Sequence, residues 1–231
     1  MTLNFHAFHN TWIDQLWQLH LQLRHAPPTL SAEEHHHQLL HLVQRSLSHY
    51  HEYYRVKSLS ARSDDVLSLF SAPWTSALER SLHWIGGWRP TVAFHLIYSE
   101  SSILFESHVV DILRGRRTGD LGDLSPAQFR RVSELQCDTV RQENDITDDL
   151  SDWQDGANYL AGTYEDIDRR MERLAGILVR ADELRLKTIK NLVELLTPKQ
   201  AAEFFIAAAE LHFGIRGWGL EHDHRRSTVR Q

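Results

Sequence analysis

Three separated segments of this sequence open with the same helix-starting chemistry, and that repetition constrains the fold more than any other feature. Ser31 with Glu34, Ser125-Pro126-Ala127-Gln128 and Thr197-Pro198-Lys199-Gln200 each place a hydroxyl where it can accept from a backbone N–H three residues on. The Glu or Gln at the third position can return the bond. In the last two segments proline takes the first helical position, where a backbone N–H would have no partner anyway. Hydrophobic periodicity agrees. Phe5, Phe8, Trp12, Leu16, Leu19 and Leu23 recur three and four apart and so share one helical face. Leu160, Tyr164, Ile167, Met171, Leu174 and Leu178 alternate four and three apart, as a seam packing on the helix begun at Pro126 would. Strand signals are nearly missing, so the chain reads as all-α, a multi-helix bundle with long antiparallel helices.

Breakers divide the bundle. Pro27-Pro28 is expected to end the first helix, and the second runs from Ser31 to about Ser60. Gly86-Gly87 followed by Arg89-Pro90 reads as a helix stop and a sharp corner, because glycine takes positive φ without a Cβ clash and the residue before proline is pushed out of αR. Arg114 to Leu124, RGRRTGDLGDL, reads as an exposed connecting loop. Residues 1–215 are expected to form a single helical domain, with 216–231 a flexible tail.

Composition removes several classes. At 231 residues, with 42% hydrophobic and 24% charged, the chain can bury a sizeable core and is not a disordered sequence. No apolar run approaches the roughly 20 residues that span a bilayer, and no secretory leader is evident at the start, so neither membrane insertion nor secretion is expected. A single cysteine, Cys137, cannot form an internal disulfide and fits a reducing nuclear or cytosolic compartment. The net charge of −6 argues against direct nucleic-acid binding.

The chemical motifs all fall short. Sixteen histidines are present, ten of them in the first 51 residues, and His37 with His41 has metal-ligand spacing on one helical face. No second pair or cysteine lies at a matching distance, so a solvated face is expected. His51-Glu52-Tyr53-Tyr54-Arg55 resembles a zinc-protease signature but carries Arg55 where the second ligand belongs. The acidic run Glu143 to Asp155 fails as a calcium loop, because a register set by Gly156 puts Trp153 at a ligand position, and it reads as a solvated acidic face. Nucleophile elbows, phosphate loops and Cys-x-x-Cys pairs are all missing. No residue is identified as catalytic and no metal site is assigned.

The corner carries a resemblance. Lys57-Ser58, Asp65-Val66, Leu69, Trp74, Glu79-Arg80, Trp84-Ile85-Gly86-Gly87 and Arg89-Pro90 are similar to the Delay of Germination family of seed-dormancy proteins. That domain is shared with the C-terminal part of TGA-type leucine-zipper transcription factors. Phe5, Phe8 and Trp12, the run His49 to Arg55 and the run Ala181 to His212 extend the likeness over nearly the whole chain. The resemblance implies a non-enzymatic regulatory adaptor of abscisic-acid signalling and seed dormancy, working by protein contacts in nucleus and cytoplasm. Its implied partners are type 2C protein phosphatases or TGA-type factors, with a homodimer as a further option. The basic helix and zipper of the TGA factors are expected to be lacking, because the similarity begins almost at once with Phe5.

Residues follow from the same resemblance. Family members bind haem through two histidines four apart in the last helix; here His212 matches the first, while Arg216 stands at the second. His212 is thus the candidate haem ligand, and a haem- or lipid-binding sensor is the first alternative function. Pairing with TGA-type factors as a transcriptional adaptor is the second. The phosphatase contact of the family involves an Asp-Ser-Tyr triplet near the start, where this chain has Ala7-Phe8-His9. Phe8, Trp12 and Trp17 are the candidate partner-binding residues. Trp12 and Trp17 stand five apart, about 140° around a helix, so only one of them can face inward.

Overall fold

In a computed structural model, residues 5–26, 31–61, 66–156 and 164–229 are described, and they hold eight α-helices and one short 3-10 helix with no strand. The order is α1 (Phe5–Arg24), α2 (Ala32–Ala61), α3 (Val66–Ser71), α4 (Ala77–Ser81), α5 (Thr91–Leu113), α6 (Pro126–Asp155), α7 (Tyr164–Leu195) and α8 (Pro198–Val229). The all-α, multi-helix expectation holds. All three expected helix starts are made: the Ser31 hydroxyl meets the Glu34 N–H at 3.3 Å, that of Ser125 meets the Gln128 N–H at 3.2 Å, and that of Thr197 meets the Gln200 N–H at 3.3 Å. A fourth capping box, Ser76 with Glu79, starts α4.

Helix α2 is central in the packing, because it touches α1, α3, α7 and α8. One core joins Leu42, Val43 and Tyr54 of α2 to Phe94 and Ile97 of α5 and to Phe204 and Phe205 of α8. A second joins Val56 of α2 to Leu69, Ile85, Leu174, Ile177, Leu178 and Ala181, closing α3 and the corner against α7. Each such side chain contributes about 1.5–3 kcal/mol when fully removed from water. The α7 seam packs on α6 as read from the spacing. Leu174 and Leu178 are fully buried and Met171 partly so, while Ile167 is exposed. Leu160 lies outside the described residues, as do Pro27-Pro28 and Asp65.

Three expectations need correction. Residues 216–229 are not a tail but the last turns of α8, which runs unbroken through Gly214, Gly217 and Gly219. Asp223 there accepts from the Ala77 N–H at 2.9 Å and ties the end of α8 to the start of α4. Only the first half of the 114–124 loop is exposed. Leu121 and Gly122 are buried against α5; a Cβ on Gly122 would lie 2.7 Å from the Phe105 nitrogen, so glycine alone permits that approach. Glu203 and Lys199 of α8 then hold the Leu121 N–H and the Thr118 carbonyl, each at 2.7 Å. Finally, Glu143 in the acidic run is fully buried rather than solvated. Its carboxylate accepts from Arg89 at 2.8 Å and from the Thr91 N–H at 2.7 Å, capping the first turn of α5.

Candidate functional site

The Trp84–Trp88 corner is the chemical centre of the fold. Its backbone turns too tightly for repeating hydrogen bonds, with Ile85 at φ 46 and Gly86 at φ 66, so its carbonyls must find side-chain donors. Two buried cations supply them. Lys57 Nζ donates to the Gly86 carbonyl at 2.7 Å and to Asp182 Oδ1 at 3.1 Å. Arg185 donates to the carbonyls of Trp88 at 2.6 Å, of Ile85 at 3.0 Å and of Trp84, and to Asp182 at 2.5 Å. Its guanidinium also lies over the Trp84 ring, 5.4 Å from the centroid. A Cβ on Gly87 would stand 3.0 Å from Arg185 Cζ, so the second glycine makes room for the clamp. Burial lowers the Lys57 pKa to about 8 against the pull of Asp182, but the group is enclosed and reaches no substrate. The corner is a structural clasp.

The solvent-facing chemistry lies where α1 packs against α2 and α8. Trp12 is buried; its indole stacks parallel on His49 at 4.7 Å, and the two exchange side-chain to backbone bonds of 3.1 Å. Trp12 therefore presents no surface to a partner. Trp17 points outward at 44% exposure, its ring set edge-on against Phe213 of α8 at 5.1 Å. Phe8 is half-buried against Phe5 and Tyr53. Trp218, one and a half turns beyond Phe213, is 67% exposed. The spacing argument that only one of Trp12 and Trp17 faces inward is thus resolved in favour of Trp12.

Beneath this rim lie histidines that sequence reasoning did not single out. His9 is buried among Phe5, Trp12, Tyr53 and Trp74, and neither ring nitrogen finds a hydrogen bond among the described residues. Burial, reinforced by Arg216 and His212, pushes its pKa down to about 3. His20 is buried too and approaches Glu210 at 3.3 Å, beside the Arg24 to Glu210 ion pair of 2.9 Å. The one available signal was position: His9 and His20 fall on the apolar α1 face, adjacent to the Phe5, Trp12 and Leu16 stripe.

His212, the candidate haem ligand, sits edge-on to Trp12 at 6.1 Å, with its Nε2 buried and unbonded; burial lowers its pKa to about 4. A neutral imidazole suits iron, yet the remaining surroundings do not fit haem. Arg216, one turn on, is a cation directed to Glu79 at 3.5 Å and cannot ligate iron. The ring of His212 is closed in by Trp12 and Phe213. Among the described residues no group of three or more His, Cys, Asp or Glu side chains could hold a metal ion, and His37 and His41 lie exposed. Among the described residues no helix is long and apolar enough to cross a membrane.

Comparison with known proteins gives this geometry its context. A family model described as DOG1, seed dormancy control, matches residues 18–99, which include α2 and the whole corner. Protein DOG1-like 1 of Arabidopsis thaliana is 28% identical over 94% of this chain and 89% of its own. Protein DOG1-like 3 of the same plant is 30% identical over 82% of this chain and 75% of its own. The bZIP transcription factor TGA10 of Nicotiana tabacum is 31% identical over 89% of this chain but only 39% of the factor, so the likeness to TGA-type factors covers part of their length. With its clasped Trp-Ile-Gly-Gly-Trp corner inside the matched region, this chain belongs to the DOG1 seed-dormancy family.

Proposed function

We propose that the protein is a non-enzymatic regulatory adaptor that engages a partner protein through the outer face of α1 and α8. The observation that carries the reading is Trp17, exposed at 44% yet fixed by its edge contact with Phe213. A preset aromatic loses little side-chain entropy on binding, which is how interface anchors gain their energy. Trp218 of α8 adds a second exposed aromatic, 67% exposed, while Phe8 is half-buried against Phe5 and Tyr53. Family membership supports a role in seed dormancy and abscisic-acid signalling, in nucleus and cytoplasm, with type 2C phosphatases as the first partner class. TGA-type factors are the second class, favoured by the likeness to TGA10. Haem is not part of this reading, because Arg216 stands where a second axial ligand would be needed.

The test is an affinity pull-down from plant seed extract read by mass spectrometry, comparing the native chain with Trp17→Ala and Trp218→Ala. Phosphatases captured by the native chain and lost with Trp17→Ala would support the reading. Leucine-zipper factors captured instead would shift it to the transcriptional class. Capture that survives both substitutions would remove the α1/α8 face from the account.

A further inference from the structure

Many serine/threonine kinases recognise their substrates by arginines two and three residues ahead of the acceptor hydroxyl, and this chain offers that charge pattern twice. Arg130-Arg131-Val132-Ser133 lies within α6, and Arg225-Arg226-Ser227-Thr228 lies in the last turns of α8. A kinase cleft takes its substrate as an extended strand, so the fold decides between the two. Opening α6 at Ser133 would pull the fully buried Val132 out of the core and break the Ser133 contact with Tyr98 at 3.2 Å. Glu134 stands next after that serine, and Arg131 is already paired with it at 2.9 Å.

The end of α8 has no such anchorage. His224 to Thr228 are all exposed, and among the described residues their side chains bond only within their own helix. Arg225 pairs with Glu221, Ser227 donates to the Asp223 carbonyl at 2.9 Å, and Thr228 donates to the carbonyls of His224 at 3.2 Å and Arg225 at 2.9 Å. Valine follows Thr228, where Ser133 is followed by an acid. The ties to the rest of the fold come earlier: Arg216 to Glu79 at 3.5 Å, Gly219, whose missing Cβ leaves room for Ser76, and Asp223 to the Ala77 N–H. Gly214, Gly217 and Gly219 weaken the helix around those ties, so its last turns open without disturbing a core.

We infer that Thr228 is a phosphorylation site for an arginine-directed serine/threonine kinase, and that its phosphate loosens α8 back toward the Asp223 tie. In the transfer, the bond from the terminal phosphorus of ATP to the β-phosphate oxygen breaks as a new bond forms to Thr228 Oγ1. ADP leaves, and the hydroxyl proton passes to the kinase's catalytic carboxylate. The esterified oxygen then has no hydrogen to donate to the His224 and Arg225 carbonyls. About two negative charges sit instead at the carbonyl end of the helix, the end that disfavours an anion. Arg225 would exchange Glu221 for the phosphate, one exposed ion pair for another, which does not offset that loss. Trp218 lies in the same half of α8, so the phosphate would also disturb the face assigned to partners; the site itself does not depend on that reading.

The test uses the full chain with ATP and the catalytic subunit of a cyclic-nucleotide-dependent kinase as the arginine-directed probe. Mass spectrometry should place a phosphate on Thr228. Thr228→Val should abolish incorporation, Arg225→Ala should slow it at least about tenfold, and Ser227→Ala or Ser133→Ala should leave it unchanged. In the phosphorylated chain, amides from Leu220 to Thr228 should exchange at least about tenfold faster than in the unmodified chain, with those of α2 unaltered. No incorporation overturns the inference, as does a phosphate on Ser133 or Ser227 instead, or a rate indifferent to Arg225→Ala. A phosphate on Thr228 that leaves exchange at the end of α8 unchanged overturns its second half, the loosening.

Discussion

At the Trp84–Trp88 corner, four backbone carbonyls meet the donors of Lys57 and Arg185, whereas under α1 both ring nitrogens of His9 and the Nε2 of His212 are enclosed and meet none. Both regions are aromatic and both enclose polar atoms. The difference is in what the polar atoms do. At the corner, side chains from α2 and α7 are tied to a backbone turn of low intrinsic stability, so three distant segments are held by one network. Under α1 the histidines pack as rings and leave polar atoms unmatched, which costs stability and lets α1 open more readily than the corner. One region fixes the fold; the other is suited to yield to a partner.

Breaking the clasp should have the largest effect. Arg185→Met removes the donors to three carbonyls and leaves Asp182 and Lys57 with an incomplete network, so it should cost about 3–5 kcal/mol in denaturant unfolding, or prevent folding. Gly86→Ala attacks the same region through the backbone. Its φ of 66 disfavours any side chain, and the new Cβ would lie 2.9 Å from the Leu69 carbonyl oxygen, for an expected loss of about 2–3 kcal/mol.

The α1 side should respond in the opposite sense. His9→Leu removes two unmatched nitrogens from an apolar site and should leave stability unchanged or raise it by about 1 kcal/mol. It should also change the pH response. The folded-state pKa of His9, about 3, lies below its unfolded value near 6.5, so the unfolded chain takes up the proton first. Stability from neutral His9 is therefore full above pH 6.5 and falls as the pH drops toward 3, by up to about 1.4 kcal/mol per pH unit. Thermal melts between pH 7 and pH 4 should show a shallower decline for His9→Leu than for the native chain. A parallel decline would mean that His9 is protonated or hydrogen-bonded in the folded state. The smallest stability loss belongs to Trp17→Ala, about 1 kcal/mol, because the residue is already 44% exposed and gives up only its packing on Phe213 and His20.

The contrast also explains what could be read from the sequence. Helix starts and apolar faces are local, so Ser31, Ser125, Thr197 and the Phe5 to Leu23 stripe were legible without the fold. Gly86-Gly87 was legible as a corner, but not the clasp, since Lys57, Asp182 and Arg185 lie far apart in sequence and look like ordinary surface charges on amphipathic helices. Glu143 was misread for the same reason: its partner Arg89 sits 54 residues away. Of the candidate partner residues, the helical angle separated Trp12 from Trp17 but could not say which faced in. That choice depended on His49 of α2, which stacks on Trp12. The run of α8 beyond Gly214 was missed because three glycines in six residues argue against a helix unless tertiary contacts such as Asp223 to Ala77 hold it.

Hydrogen exchange of the full chain, alone and with a purified type 2C phosphatase, tests the central claim most directly. Alone, amides of the corner and of α7 should exchange only through global unfolding, while those of α1 exchange sooner through local opening. With the phosphatase present, protection should grow on α1 and the second half of α8, with the corner unchanged. Protection of α1 equal to that of the corner in the free chain, or partner-induced protection confined to other helices, would contradict the account.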